Sequence, residues 1–373
     1  MDLRLSTAIV IVVALLAPSA SRAEEMEVKF DGLARGLAAT LMKRNETKIA
    51  IGEFSGAASL RASAGPAIAE ALSEALAKHK IMGDDQASVE IRGEYFLKPD
   101  ASGGTMALKV KFQVVDTNAG REKLAEPEVD LFSAATVARL TGVTGDLSGK
   151  TNRERLKKVE EGLKSPRVAI DKPAADSATT SRVSAPGHPY AVEVLVRGED
   201  DFQPRPASAI RGFAFVPLKR DDVYAVRLLN DSPLDAAVEL CIDGVNIFAL
   251  HRDPLMRKAR IIVPAGRAAL IRGYAVGDEE SREFLLAGVG TPVDGRLLPK
   301  GNLKIGTITA MFSAAWKLGD APPRDEPEAF LTEPVDDNRT IPGTSIAEKI
   351  ERVEVEIGKP RVQISIRYNK PAS

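Results

Sequence analysis

From Tyr190 to Tyr368 the chain is a succession of short apolar runs cut by Gly, Pro, Asn and Asp, a pattern that suits strands and leaves no room for long helices. Tyr190 to Val196, Tyr224 to Leu229, Val238 to Ile242, Arg260 to Val263, Ala269 to Tyr274 and Ile305 to Phe312 are the strand candidates. Near the end, Val353 to Ile357 and Val362 to Tyr368 alternate strictly on either side of Gly358-Lys359-Pro360, which predicts a hairpin. The stretch from Asp320 to Pro342, rich in proline and acid, is expected to run over the surface. Residues 189–373 therefore read as an all-β sandwich with a carboxy-terminal hairpin.

The amino-terminal half mixes two periods. Leu33, Leu37, Leu41 and Met42 fall on one helical face, Lys48 to Phe54 is a short strand, and Pro66 to Ile81 is a helix with its proline in the first turn. Val89 to Phe96 and Leu108 to Val115 then alternate with period two around Gly103-Gly104, predicting an antiparallel hairpin, and Ser133 to Leu140 suits a short helix. Residues 24–145 thus form a small α/β domain with a mixed sheet, and the fold class of the whole is α+β. Between the halves, 146–188 reads as a flexible charged linker. Asn152 to Lys164 can form a short charged helix, and the remainder is poor in aromatics. Its mild basic excess suits either a tether to a polyanion or a solvated spacer, and the spacer is the simpler reading.

The strand Ile49-Ala50-Ile51-Gly52-Glu53-Phe54, the helix after it, the strand Ile91-Arg92-Gly93-Glu94-Tyr95 and the strand end Val114 to Gly120 occur in an order similar to the superfamily of the TolB amino-terminal domain. That superfamily also includes the penicillin-binding-protein activator lipoproteins. The resemblance covers about residues 27 to 141 and implies an envelope-facing binding or assembly module without catalysis. The lipid anchor usual in that group has no cysteine here to carry it. Tyr224 to Ser232, Ile242-Asp243-Gly244-Val245-Asn246, Ile271 to Tyr274 and Gly306 to Ile308 resemble a bacterial β-sandwich family, which implies a fold and no activity.

At the amino terminus Arg4 precedes a largely apolar run, Leu5 to Ala17, then Pro18 and Ser21-Arg22-Ala23. This order suits a secretory signal, residues 1–23, cleaved after Ala23, and places the protein in the periplasm or outside the cell. A retained anchor is the alternative, but a helix over that run rises roughly 20 Å against a hydrocarbon core of about 30 Å, so no stable membrane span is expected. Formal charge is −1, which gives nucleic acid nothing to attract it. Cys241 is the single cysteine, so no internal disulfide forms; within Val238 to Ile242 it reads as a small core residue, since a catalytic thiol needs a nearby histidine.

Asp243 and Asn246 flank Gly244 in a turn where a carboxylate and an amide suit a sugar hydroxyl or calcium. A turn whose side chains bond their own backbone accounts for the same residues. The run from His251 to Arg260 is basic, and Arg257, Lys258 and Arg260 are the first candidates for gripping an anion; a solvated loop is the competing reading. Acidic groups at Glu199-Asp200-Asp201, Asp278-Glu279-Glu280 and Asp336-Asp337 sit in turn-like contexts. No nucleophile elbow, zinc-protease motif or phosphate loop occurs, so no catalytic residue, metal ligand or cofactor is expected. Trp316, the only tryptophan, reads as core packing before it reads as a sugar platform. The expected function is a non-catalytic exported adaptor for envelope proteins. A sandwich binding a glycan, small molecule or anion through the five residues named above is the alternative, and a hydrolase the second alternative.

Overall fold

The computed structural model describes residues 10–15, 25–57, 60, 64–99, 106–172, 179–199, 201–286, 306–326, 345–347 and 349–368; for 10–15, 254, 345–347 and 349 it describes the backbone alone. The expected cleavage point at Ala23, the glycine pair at 103 and 104, Asp336-Asp337 and the 327–342 part of the acidic stretch lie outside these residues. The protein is mixed α/β and rich in strand, with four helices among the described residues.

Helices α1 (Glu25–Lys43) and α2 (Gly65–Lys78) cover one face of a sheet ordered Met82–Gly83, Lys48–Gly56, Val89–Pro99, Met106–Asp116, Glu122–Ala125, with Glu128–Leu131 also on Met106–Asp116. The strands around Lys48–Gly56 run parallel, because α2 carries the chain back across the sheet before the next strand. Val89–Pro99 and Met106–Asp116 pair antiparallel from Val89↔Asp116 to Pro99↔Met106, the hairpin expected from their alternation. The buried stripe of α1 is Met26, Phe30, Ala34, Leu37, Ala38 and Leu41; Met42 points outward and is 55% exposed, since the stripe follows steps of three and four from Phe30. Phe112 sits at the centre, with Phe30 and Phe54 edge-on at 5.6 and 5.5 Å.

About half of the segment expected as a flexible linker is helix or strand, the short charged helix over Asn152 to Lys164 included. Helix α4 (Asn152–Lys164) starts on a capping box, in which Thr151 accepts from the Glu154 backbone and Glu154 reaches back to Thr151. Its stripe of Leu156 and Val159, with Leu163 partly buried, joins the core beneath helix α3 (Ala134–Thr141). That apolar stripe suffices because a capped helix needs only one face to dock. Gly145–Asp146, Ala169–Asp171 and Arg182–Ser184 are strands of the two large sheets.

Those two sheets form the sandwich. One is ordered Gly273–Gly277, Glu280–Leu285, Val223–Asn230, Tyr190–Arg197, Arg182–Ser184, Ala169–Asp171. The other, the central sheet, is ordered Val10–Leu15, Arg260–Val263, Asp235–Ile242, Gly306–Lys317, Lys349–Tyr368, Phe213–Phe215, Ser208–Ile210. Within the amino-terminal apolar run, the Val10–Leu15 backbone also pairs directly with Lys349 to Glu354, in parallel. Val192, Val194, Val226 and Leu228 from one sheet meet Val238, Leu240, Ile308, Phe312, Ile364 and Ile366 from the other, and Tyr190 stacks on Phe312 at 4.8 Å. Ala269 to Tyr274, expected as one strand, is two, Arg267–Ile271 and Gly273–Gly277, which pair with different neighbours.

The expected carboxy-terminal hairpin is a single strand, Lys349–Tyr368. The apolar positions change parity between Ile357 and Val362, which a turn or a bulge can produce equally well. Here the register against Gly306–Lys317 slips twice, between Phe312 and Ser313 and between Ser313 and Ala315, with Pro360 opposite Ser313. Val362, Ile364 and Ile366 consequently face the sandwich core, while Val353, Val355 and Ile357 pack with Ala237, Ile262 and Ala315.

The outer face of the central sheet is covered by the α3 region. Buried Gln363 donates through Nε2 to the carbonyls of Ala138 (2.8 Å) and Val143 (2.7 Å), and the Ser365 amide donates to Thr144 Oγ1 (2.9 Å). Arg367 reaches the Gly142 carbonyl, which α3 leaves free at its left-handed cap. Glu239 ties the layers together by an ion pair of 2.8 Å with Arg139.

Candidate functional site

Asp243 and Gly244 are the two central residues of a hairpin turn, with Ile242 opposite Val245. Their φ values are +52° and +84°, the left-handed pair that a tight strand-to-strand turn requires. Gly244 has a second constraint, because an added Cβ would come within 2.5 Å of Ala67 on α2. The Asp243 carboxylate is engaged on both oxygens, with the Thr307 amide donating to Oδ1 at 2.7 Å and the Tyr368 hydroxyl to Oδ2 at 2.5 Å. Burial, with the Asp243 charge behind it, raises the Tyr224 and Tyr368 phenols well above their ordinary range; for Tyr274 burial and Tyr224 come before Asp243. All three remain neutral phenols. Asn246 spends its Oδ1 on the Phe248 amide at 2.9 Å. Both residues thus serve the turn.

The basic run after it does not converge on a shared pocket. Arg257 donates through Nε to the His251 carbonyl (2.9 Å), Lys258 reaches Glu27 on α1 (3.2 Å), and Arg260 lies 3.4 Å from Ser313 Oγ and 3.8 Å from Glu239. The five candidates are therefore divided among internal partners, those of Asp243, Lys258 and Arg260 being far away in sequence. His251 is buried, its Nδ1 accepts from the Asp253 amide, and burial lowers its pKa against the opposing pull of Asp278. Asp278 and Asp253 are joined by Arg352 at 2.9 Å, so the acidic turn at 278 is a clasp on the carboxy-terminal strand.

Burial opposes ionisation of Glu239, but Arg139 and Arg260 outweigh it and hold the carboxyl below its usual value. The Cys241 thiol beside it is buried and donates to Glu239 at 3.7 Å, as its place in a core strand predicts. Trp316 is half-buried and donates from Nε1 to Glu356 at 2.8 Å. Among the described residues no group of three or more His, Cys, Asp or Glu could hold a metal, and no helix is long and apolar enough to cross a membrane.

The arrangement missed by sequence reasoning lies on the first sheet, on the face turned away from α1 and α2. Alternation sends Val89, Ile91 and Tyr95 into the core and Glu90, Arg92 and Glu94 to the other side, where a cleft of about 800 Å³ opens. Its charged walls are the carboxylates Glu53, Glu90, Glu94, Glu126 and Glu128 and the cations Arg92 and Lys111. One rim is internally paired: Lys109 and Lys111 bind Glu128, and Lys123 binds Glu126 at 2.6 Å. The Lys109 hydrogen bond holds Glu128 below its usual pKa, and Lys123 does the same for Glu126. On the opposite wall the side chains of Glu90, Arg92 and Glu94 make no hydrogen bond or ion pair among the described residues. Gly52 is part of this wall: an added Cβ would lie 2.3 Å from Glu90 Oε1, so the missing side chain is what lets the carboxylate lie flat over the strand. The available signal was the polar half of the period-two pattern, three charges at alternate positions.

No protein-family model, curated protein or solved structure matches the chain.

Proposed function

We propose that this protein is a non-catalytic, exported adaptor of the cell envelope, whose amino-terminal unit is a TolB-like binding module. The observation that carries this reading is the charged cleft at Glu90, Arg92 and Glu94, because side chains that find no partner among the described residues are available to one outside the chain. The inward use of Asp243, Asn246, Arg257, Lys258 and Arg260 supports the same choice, since it leaves the sandwich ligand alternative without a ready set of contacts. The order of helices and strands over residues 27–141 supports the module assignment. The secretory reading of residues 1–23 supports the location; cleavage after Ala23 would remove the Val10–Leu15 strand and leave Arg260–Val263 at an edge of the central sheet. A photo-crosslinking residue at Glu94, activated in cells and read by mass spectrometry, is expected to capture one or a few envelope proteins; capture of none would overturn the adaptor reading.

A further inference from the structure

We propose that the cleft on the first sheet takes an extended, lysine- or arginine-rich segment of a partner protein, an inference that rests on the adaptor reading and specifies what the adaptor grips. Five carboxylates line the cleft against two cations, and Lys109 and Lys123 just outside the lining pair with Glu128 and Glu126, so the excess is one negative charge and it lies on the wall of Glu90 and Glu94. The lowered pKa values of Glu126 and Glu128 keep that rim ionised, and the Glu90 and Glu94 carboxylates have no cation of their own among the described residues.

Geometry selects among cations. Glu90 and Glu94 are four residues apart on one strand, which separates them by roughly 13 Å at a rise of about 3.3 Å per residue. A metal ion draws its oxygens to about 2.3–2.6 Å and cannot bridge such a span. An extended peptide repeats its side chains on one face every two residues, about 6.6 Å, which is the spacing of Glu90, Arg92 and Glu94. The cleft volume of about 800 Å³ suits a segment of a few residues. Arg92, between the two acids, accommodates a carbonyl or an acidic side chain of the same segment and fixes its register. Such a contact is electrostatic and open to solvent, so its affinity falls with salt.

The test measures fluorescence anisotropy of labelled peptides titrated with the purified protein: alternating lysine–serine and glutamate–serine heptapeptides, with spermine as an unlabelled competitor. The lysine peptide is expected to bind at low salt and weaken about tenfold or more by physiological ionic strength. The glutamate peptide is expected not to bind, and Glu90→Gln with Glu94→Gln to weaken the lysine peptide about tenfold while an unchanged thermal melt shows the fold intact. No binding of the lysine peptide, equal binding of the glutamate peptide, unchanged affinity in the double variant, or full displacement by stoichiometric spermine would overturn the proposal. A crosslinked partner lacking basic segments would sink this inference and leave the adaptor reading standing; no partner captured in cells would overturn the adaptor reading and, with it, a partner protein as the occupant, even where the lysine peptide binds in vitro.

Discussion

Replacing Asp243 by alanine removes one carboxylate and with it three supports. The hydrogen bond from the Thr307 amide is 2.7 Å and that from the Tyr368 hydroxyl 2.5 Å, and bonds to a charged acceptor contribute about 1.5–3 kcal/mol each. Tyr368 is 4% exposed, so its hydroxyl is left without water, at about 1–3 kcal/mol. Alanine at φ +52° adds about 1–2 kcal/mol of backbone strain. These effects share one side chain and do not add fully; a loss of about 4 kcal/mol is expected, against a total stability of about 5–15 kcal/mol for a domain. Asp243→Gly lifts the strain and leaves the bonds broken, so it should cost about 3 kcal/mol. Asp243→Asn tolerates the backbone and keeps an acceptor for Thr307, so about 1–2 kcal/mol is expected. Urea unfolding followed by Trp316 fluorescence reads all three as midpoint shifts at constant slope. An alanine variant within about 1 kcal/mol of the parent, or the order Ala, Gly, Asn reversed, would refute the structural assignment of this residue and return it to the list of ligand candidates.

Two further outcomes are specific. Burial, with the Glu70 charge adding to it, pushes the Glu74 carboxyl up to about 10 against the pull of Lys258 and Lys78, and its Oε1 has no partner among the described residues. The folded protein then holds a proton that the unfolded chain releases above its ordinary value of 4.5, so stability falls as pH rises from there toward 10. At about 1.4 kcal/mol per pH unit, the parent should lose up to about 5 kcal/mol more than Glu74→Gln between pH 5 and 9 in urea titrations; parallel profiles would remove Glu74 as the cause. Glu239→Ala strands Arg139 and Arg260 and should cost about 3 kcal/mol, while a double-mutant cycle with Arg139→Ala should return a coupling of about 1–2 kcal/mol. A coupling below about 0.5 kcal/mol would mean that the two layers do not depend on this pair.

What was legible in the sequence was local. Helices α2 and α3 and the 89–116 hairpin follow from period, capping and turn residues within a few positions of one another. Helix α4 was legible over the same bounds, Asn152–Lys164, but its docking was hidden, because its charges outnumber its stripe of Leu156 and Val159 and only the surface of α3 gives that stripe its value. The carboxy-terminal strand was misread at Gly358-Lys359-Pro360 because a bulge and a turn use the same residues, and the partner that decides, Gly306–Lys317, lies about fifty residues upstream. The candidate site failed for the same reason. Nothing near Lys258 announces Glu27, and nothing near Arg260 announces Glu239, so a run of basic residues read as free turned out to be distributed among acids across the fold. Conversely, Glu90, Arg92 and Glu94 were treated as the solvated half of a strand, which is where they lie, and it took the shape of the twisted sheet to show that their face is a cleft.

The strand from Lys349 to Tyr368 lies inside the central sheet, between Gly306–Lys317 and Phe213–Phe215. It pairs with Gly145–Asp146, Phe213–Phe215 and Gly306–Lys317, contacts that reach back across more than half of the sequence. A polypeptide emerging from the ribosome amino end first can therefore build helices and hairpins as it grows but cannot close the sandwich until Lys349 to Tyr368 arrive. Loop closure over such distances is slow. Until then the sheet is split along its centre, with apolar faces and strand edges exposed, which is the condition in which a chain can still be threaded through a narrow pore and in which it most needs a chaperone.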